Sequence, residues 1–246
     1  MLISIVSAVF NRAEFIGDAV ESLLSQTWSQ WEHVVQDGGS TDGTLEVLQG
    51  ISDERTQLVS GRDSGIDDAL NRGFLRARGD VIGLLHSDDL FAAPDVLEAV
   101  AEAFQDPDVD AVYGDLLYVA KSDHSRVIRT WTSEPFRPAL LKRGWMPAHP
   151  TLFLRRRVIE QHGAFDTSYR IAADYDAILR YFRQPSFAAV YIPKTFVRMR
   201  IGGESNRSLE RILRKSREDY RALQANNIGG LRTLARKNLS KVRQFL

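Results

Sequence analysis

The chain has 246 residues, 43% of them apolar, and no cysteine. That is enough for one large domain, or one domain with an appendage, and it excludes a disulfide framework, a thiolate nucleophile and a zinc–thiolate site. The 32 basic and 32 acidic residues cancel overall but not locally, because residues 205–246 hold 11 Lys or Arg against 3 Asp or Glu and the rest carries the matching excess of acid.

Residues 2–6 have the pattern of a buried strand, with neither the basic start nor the long apolar stretch of a signal peptide. Asn11, with Glu14 three positions on, has the form of a capping box. Phe15, Ile16, Ala19, Val20, Leu23 and Leu24 then recur at helical spacing. Residues 32–37 form a second strand. Thr41-Asp42-Gly43 opens a second helix that packs through Leu45, Val47, Leu48 and Ile51, and residues 57–60 are a short third strand. Residues 66–78 read as a helix and 81–85 as a fourth strand. Pro94 marks the first turn of a helix over 96–104, and 110–113 is a fifth strand. This βαβα alternation predicts an α/β fold, a mostly parallel sheet with helices on both faces.

The second half is less regular. Residues 116–120 and 127–131 pair as an antiparallel hairpin, and four prolines between 135 and 150 mark a loop-rich stretch. A strand over 151–154, a helix over 173–182 and a strand over 188–192 follow. Two helices, over 209–224 and 231–245, end the chain. No apolar run reaches the roughly 20 residues of a membrane-spanning helix. The basic tail points to an anionic partner or to docking on the acidic body. A membrane surface or a second copy of the chain is expected, and nucleic acid is not. Location is expected to be cytoplasmic, with peripheral attachment to the inner face of the cytoplasmic membrane.

Carboxylates stand at the carboxyl ends of the predicted strands. Asp37 closes the second, Asp88 and Asp89 follow the fourth, and Asp174 comes later in Ala172-Ala173-Asp174-Tyr175-Asp176. In open α/β sheets ligands bind outside those ends. Paired carboxylates with room for phosphate oxygens suit a hard cation, Mg²⁺ or Mn²⁺. In Gln36-Asp37-Gly38-Gly39-Ser40-Thr41-Asp42-Gly43-Thr44 the glycines allow a tight turn and close approach of backbone to ligand. Asp37 is read as a ligand contact and Asp42 as a helix cap. Arg62 and Asp63 lie just past the third strand, where Arg62 pairs with phosphate or with a nearby acid. Asn71 lies inside a helix, where Asn is a middling former, and a specific hydrogen bond is expected of it.

Four segments, Ser7-Ala8-Val9-Phe10-Asn11-Arg12 and the runs 37–44, 62–73 and 85–89, resemble in order and spacing the family 2 glycosyltransferases. The resemblance is to bacterial colanic acid and surface polysaccharide enzymes in particular. Asp174-Tyr175-Asp176-Ala177-Ile178-Leu179-Arg180 and Arg198-Met199-Arg200-Ile201-Gly202-Gly203-Glu204-Ser205 resemble its later motifs, so about residues 2–206 are covered. The resemblance implies a GT-A fold over residues 1–204, a Rossmann-like mixed and mostly parallel sheet flanked by helices. Residues 205–246 are a basic helical extension. It also implies a nucleotide-sugar donor, UDP-sugar first, a divalent cation, inversion at the anomeric carbon, and a glycan or lipid-linked acceptor.

Position by position, Ala8 and its neighbours line the base pocket through backbone, Asp37 contacts the base, and Arg62 or Asp63 completes the nucleotide site. Asp88 contacts the ribose or the metal, and Asp89 the metal–diphosphate. Asp174 is the general base with Asp176 in reserve, and Arg200 with Gly202-Gly203 closes over the diphosphate.

Three positions depart from the family pattern. His86 stands where the metal motif often begins with an acid, and His suits Mg²⁺ poorly. Gly38 replaces a second acid, and Ala173 replaces the Glu before Asp174. His149 contacts acceptor or diphosphate, or is structural. Trp131 and Trp145 are candidates to stack on sugar rings, whereas Trp28 and Trp31 are packing residues. Arg155-Arg156-Arg157 faces an anionic lipid carrier or is a solvated helix start. His86 keeps open a non-catalytic nucleotide-sugar or polysaccharide binding module. A dehydrogenase is a poor second class, because no glycine precedes Gly17 after the first strand and the dinucleotide fingerprint is absent.

Overall fold

A computed structural model describes residues 1–51, 53–201 and 209–242. The first half alternates as expected: β1 (Ile3–Val9), α1 (Ile16–Leu24), β2 (Trp31–Asp37), α2 (Thr44–Ile51), β3 (Thr56–Ser60), α3 (Ile66–Arg76) and β4 (Val81–Leu84). Both β1 and β2 are buried at every position, as parallel strands covered on both faces must be. The polar residues among them are paired. Glu32 accepts from Ser4 Oγ at 2.7 Å and from Arg78 Nε at 2.9 Å. His33 Nε2 meets Ser7 Oγ at 2.9 Å, and burial pushes this imidazole down to about 4.

The second half adds β5 (Asp89–Phe91), α4 (Val96–Ala103), β6 (Ala111–Val119), β7 (Val127–Trp131), α5 (Pro138–Leu141) and a 3₁₀ turn (His149–Thr151). It continues with β8 (Phe153–Arg155), α6 (Arg156–His162), α7 (Ala173–Phe182), β9 (Ala189–Arg200), α8 (Leu209–Ala225) and α9 (Leu231–Val242). The strands lie in the order β3-β2-β1-β4-β8-β6-β9-β5, with β7 on β6. β8 runs antiparallel to both β4 and β6, so the two halves of the sheet point the same way. The carboxyl ends of β1, β2, β3, β4, β6 and β9 therefore share one edge. Asp89 joins that edge, because β5 runs antiparallel and sets it opposite Met199.

Several local expectations change. The fifth strand and the first hairpin arm are one strand, β6, with Leu116 opposite Trp131 in the expected hairpin. The last strand runs on to Arg200, because its second half is gripped between β6 and β5. Asn11 does not cap α1, which starts at Ile16 without a side-chain cap. Instead Asn11 takes φ 51° and its Oδ1 accepts the Thr41 N–H at 2.9 Å, tying the first strand-end loop to the second.

The described tail helices belong to the packed body. Ala222, Leu223 and Ile228 share a buried cluster with Tyr113, Ile178 and Phe182. Glu218 Oε2 accepts the N–H groups of Arg170, Ile171 and Ala172 at 3.1, 2.8 and 3.1 Å, placing a carboxylate where α7 starts with unsatisfied donors. Lys237 pairs with Asp219 at 2.6 Å, both buried, and its ammonium sits 3.1 Å from the Tyr175 ring centroid. The boundary between Glu204 and Ser205, with the Gly202-Gly203 turn, lies outside the described residues.

Candidate active site

The loop after β2 is organised from within by Asp37. Its Oδ2 accepts from Gly39 N at 2.9 Å, Ser40 N at 3.0 Å and Ser60 Oγ at 2.6 Å, and its Oδ1 from Ser40 Oγ at 2.5 Å. Burial opposes its ionisation, but these donors outweigh it and hold the carboxyl below the usual range. Gly39 at φ 88° permits the fold-back. Asp42 Oδ1 accepts Thr44 N at 3.1 Å, the cap expected of it. The Ala8 side chain is buried within β1, which leaves its backbone to line any pocket.

Gly38 has a specific reason. A Cβ there would lie 2.7 Å from Asp63 Oδ2. Asp63 thus fills the space beside Gly38, and its Oδ1 accepts Gly65 N at 2.9 Å. The neighbouring Arg62 is exposed at the same edge.

Past β4, Asp88 is half-exposed while Asp89 is buried, with Oδ2 unpartnered. Burial and then the neighbouring Asp88 push the Asp89 carboxyl well up. Arg200 is buried too. It forms an ion pair with Asp18, donates to Asp88 O at 3.1 Å and lies 5.0 Å over the Phe15 ring. It therefore braces the Asp88–Asp89 turn. Among the described residues, no three His, Asp or Glu converge as a metal cage. Asp88, with Asp89 behind it, fits a cation that enters with a diphosphate. Such an ion takes only one or two carboxylates, its other positions going to phosphate oxygens and water.

His86 is the first member of a linked trio. His86 Nε2 and His149 Nε2 are 3.1 Å apart, and His149 Nδ1 is 3.2 Å from Asp174 Oδ2. Burial, then His149, push His86 down to about 3, so its ring is neutral. Thr151 Oγ1 donates to Gly114 O and Ala148 O at 3.0 and 2.8 Å, fixing the 3₁₀ turn that carries His149. Asp174 sits in the first turn of α7. Burial opposes its charge, but the His149 hydrogen bond, with Lys215 and Lys237 beyond, holds the carboxyl well below the usual range. Asp176 is committed elsewhere, to Arg180 at 3.1 Å and Asn226 at 2.9 Å.

Asp67, on α3, is the site residue that sequence reasoning missed. Burial and then repulsion from Asp174 push it up to about 6. Three acids within six positions give no sign of which one meets α7. Its native pKa lies above the unfolded value, so the native state holds the proton more tightly, and relative stability falls as pH rises from about 4 through about 6. Asp67→Asn is expected to raise stability by about 1–3 kcal/mol at pH 7.5, with the gain fading near pH 4. Denaturant unfolding at both pH values checks this, and an equal effect at both would refute it.

Other expectations resolve as structure. Asn71 makes its specific bonds, donating to Phe165 O at 2.8 Å and accepting Phe165 N at 3.0 Å, which fastens the segment before α7 to α3. Trp145, a candidate for sugar stacking, packs among Phe136, Tyr113 and Phe182. Arg155 and Arg156 are spent on backbone carbonyls, including Phe104 O at 2.7 Å and Ala77 O at 2.7 Å, while Arg157 pairs with Asp110 at 2.9 Å.

Residues 4–163 match the family model described as Glycosyl transferase family 2. A PGL/p-HBAD biosynthesis glycosyltransferase of Mycobacterium bovis (strain BCG / Pasteur 1173P2) is 30% identical over 195 residues, 78% of this chain and 73% of that protein. The uncharacterized glycosyltransferase alr2836 of Nostoc sp. is 32% identical over 186 residues, 71% of this chain and 57% of that one. Among solved structures, S. aureus TarS 1-349 in complex with UDP-GlcNAc superposes with a TM-score of 0.74 and 16% identity, over 92% of this chain. This chain spans 65% of that one. Mannosyltransferase PcManGT from Pyrobaculum calidifontis, in complex with GDP-Man and Mn²⁺, gives 0.64 at 19% identity, over 91% of this chain and 63% of its own. At such identities the likeness is one of fold.

Proposed function

We propose that this chain, which belongs to glycosyl transferase family 2 and has the GT-A fold, moves a sugar from a nucleoside-diphosphate sugar to an acceptor hydroxyl with inversion at the anomeric carbon. The acceptor class is a glycan or lipid-linked saccharide of a bacterial surface polymer. The observation that carries this reading is the gathering of acids and a histidine–aspartate pair at one sheet edge. The Asp37 loop, Asp63 and Asp88 gather at that edge together with His86, which meets the His149–Asp174 pair.

A donor lying along that edge would put its base against the loops after β1, β2 and β3 and its diphosphate at Asp88. Arg200 holds the Asp88 turn in place from behind. When bound, a divalent cation there would offset charge building on the leaving diphosphate. Asp174 is the general base that takes the proton from the acceptor hydroxyl. A single displacement needs no enzyme nucleophile, and the chain has no cysteine to offer one. The UDP-GlcNAc bound by TarS and the GDP-Man and Mn²⁺ bound by PcManGT support a nucleotide sugar with a divalent cation, UDP-sugar being the first to test.

Thermal stability against UDP-, GDP- and dTDP-sugars, with and without Mn²⁺, tests the donor site. One nucleotide series is expected to stabilise the fold in a metal-dependent way, by about 2.7 kcal/mol at a hundredfold excess over Kd. No shift with any donor would remove the donor-site assignment. A shift without hydrolysis or transfer would favour the binding module.

A further inference from the structure

We infer that the acceptor is a saccharide carrying a methyl group beside the hydroxyl that Asp174 deprotonates, and that this methyl enters an apolar slot between α3 and α7; this rests on the transferase reading above. The slot exists because two apolar clusters on one face of the sheet stop short of each other. One includes Ala69 and Leu70 of α3, the other Ala177 and Ile178 of α7, and Ile159 and Phe165 pack against both. Ile82 and Leu154, paired across β4 and β8, form the floor between them. The space left is a cavity of about 30 Å³. That holds about two methyl-sized groups, whereas a cavity that takes up benzene measures about 150 Å³.

The slot begins at the base. Asp174, Ala177 and Tyr181 all line it, so it follows α7 for about 10 Å. Asp174 and His149 line it too, with 26% and 31% of their side chains exposed, whereas Ala177 is buried. The Asp174 end therefore opens on the candidate site. Asp67, in the first turn of α3, is near enough to repel Asp174, so the starts of α3 and α7 flank this mouth.

Inside, a polar group would find no partner. Tyr181 OH is spent on Gly163 O at 2.7 Å, and the two nitrogens of His149 on Asp174 and His86. A cavity lined this way stays dry. A methyl group entering it gives up only apolar hydration, whereas a hydroxyl would lose its water partners and gain none. Asp174 accepts from His149 through Oδ2 and from Tyr175 N through Oδ1 at 2.7 Å, and each oxygen keeps a lone pair for the acceptor. The base therefore acts with His86 and His149 left in place. A hydroxyl held there brings the substituent of the neighbouring carbon to the mouth, and the slot selects methyl over hydroxymethyl.

The test uses the full chain, a nucleotide sugar that binds, and paired methyl glycosides as acceptors: D-fucose against D-galactose, and L-rhamnose against L-mannose. The members of a pair differ only by the hydroxyl on the last carbon. In at least one pair the deoxy member is expected to have the higher kcat/KM, by about 10–100-fold. Ala177→Leu fills the slot from α7 and should erase that preference by raising the KM of the deoxy member, with donor KM within about twofold. Short alcohols give a second measurement that depends on no particular sugar. Transfer to methanol, ethanol and 1-propanol should rise about fourfold per added carbon until the slot is full. Ile82→Val, a milder change that makes room, should move that limit to a longer alcohol. No preference within either pair, a preference that survives Ala177→Leu, or an alcohol limit that Ile82→Val leaves unmoved would each overturn the inference. A wild type that neither transfers from nor hydrolyses any donor it binds would overturn the transferase reading instead; one that turns donor over without these preferences overturns the slot alone.

Discussion

Asp174→Asn is expected to lower sugar transfer by about 10²–10⁴-fold while leaving donor affinity within about twofold. The substitution is nearly isosteric, and the Asn carbonyl can still accept the His149 Nδ1–H. α7 keeps its start, because that is held by Glu218 on the N–H groups of Arg170, Ile171 and Ala172. What disappears is the negative charge against which a proton is drawn from the acceptor. The donor loops at Asp37, Asp63 and Asp88 do not touch Asp174, so their contribution to binding stays. Steady-state kinetics and donor-induced thermal shifts, measured on the same preparation, separate the two effects. Full activity would remove Asp174 from the mechanism; loss of the thermal shift would mean that it serves donor binding instead.

Lys237→Met is expected to destabilise the fold by about 3–5 kcal/mol, far more than a change at an exposed arginine of the same helix such as Arg232. Lys237 and Asp219 are each almost fully buried, 2.6 Å apart, with the ammonium against the Tyr175 ring. Removing the cation leaves the Asp219 charge uncompensated in a low-dielectric interior, and that penalty sets the size of the effect. Asp219→Leu/Lys237→Met, which removes both charges, should recover most of the loss. Urea unfolding of the single and double variants checks this, and a single-variant loss under about 1 kcal/mol would show the pair to be dispensable. Because Tyr175 adjoins Asp174, the pair also links α9 to the reacting end of α7.

What could be read directly was whatever depends on neighbours in the chain. Runs of residues buried on both faces, followed by helical spacing, located β1 to β4 and α1 to α3 within a few residues. They also put Asp37, Asp63 and Asp88 at strand ends. The helix over 173–182 was visible in full, since its apolar spacing has a single reading. Local reading failed where one residue type serves two purposes. Asn11 followed by Glu14 satisfies the pattern of a capping box, yet the Thr41 N–H brought alongside by strand pairing is the donor that Asn11 meets. Arg155, Arg156 and Arg157 look like a charged helix face, but their partners are carbonyls and an acid some 50 to 80 positions earlier in the chain.

By itself the sequence determined the α/β alternation, the sheet edge on which the acids gather and the family to which they belong, because each follows from periodicity or from motifs in order. Only the tertiary structure decided which acids work together. His86, His149 and Asp174 lie on three different segments, and Asp67 on a fourth; their hydrogen bonds and mutual repulsion exist only once β4, the 3₁₀ turn, α3 and α7 are packed. The same holds for the basic tail. Its net charge is a property of composition, but whether a given lysine meets solvent or Asp219 depends on which face of α9 turns inward, and packing against α8 settles that.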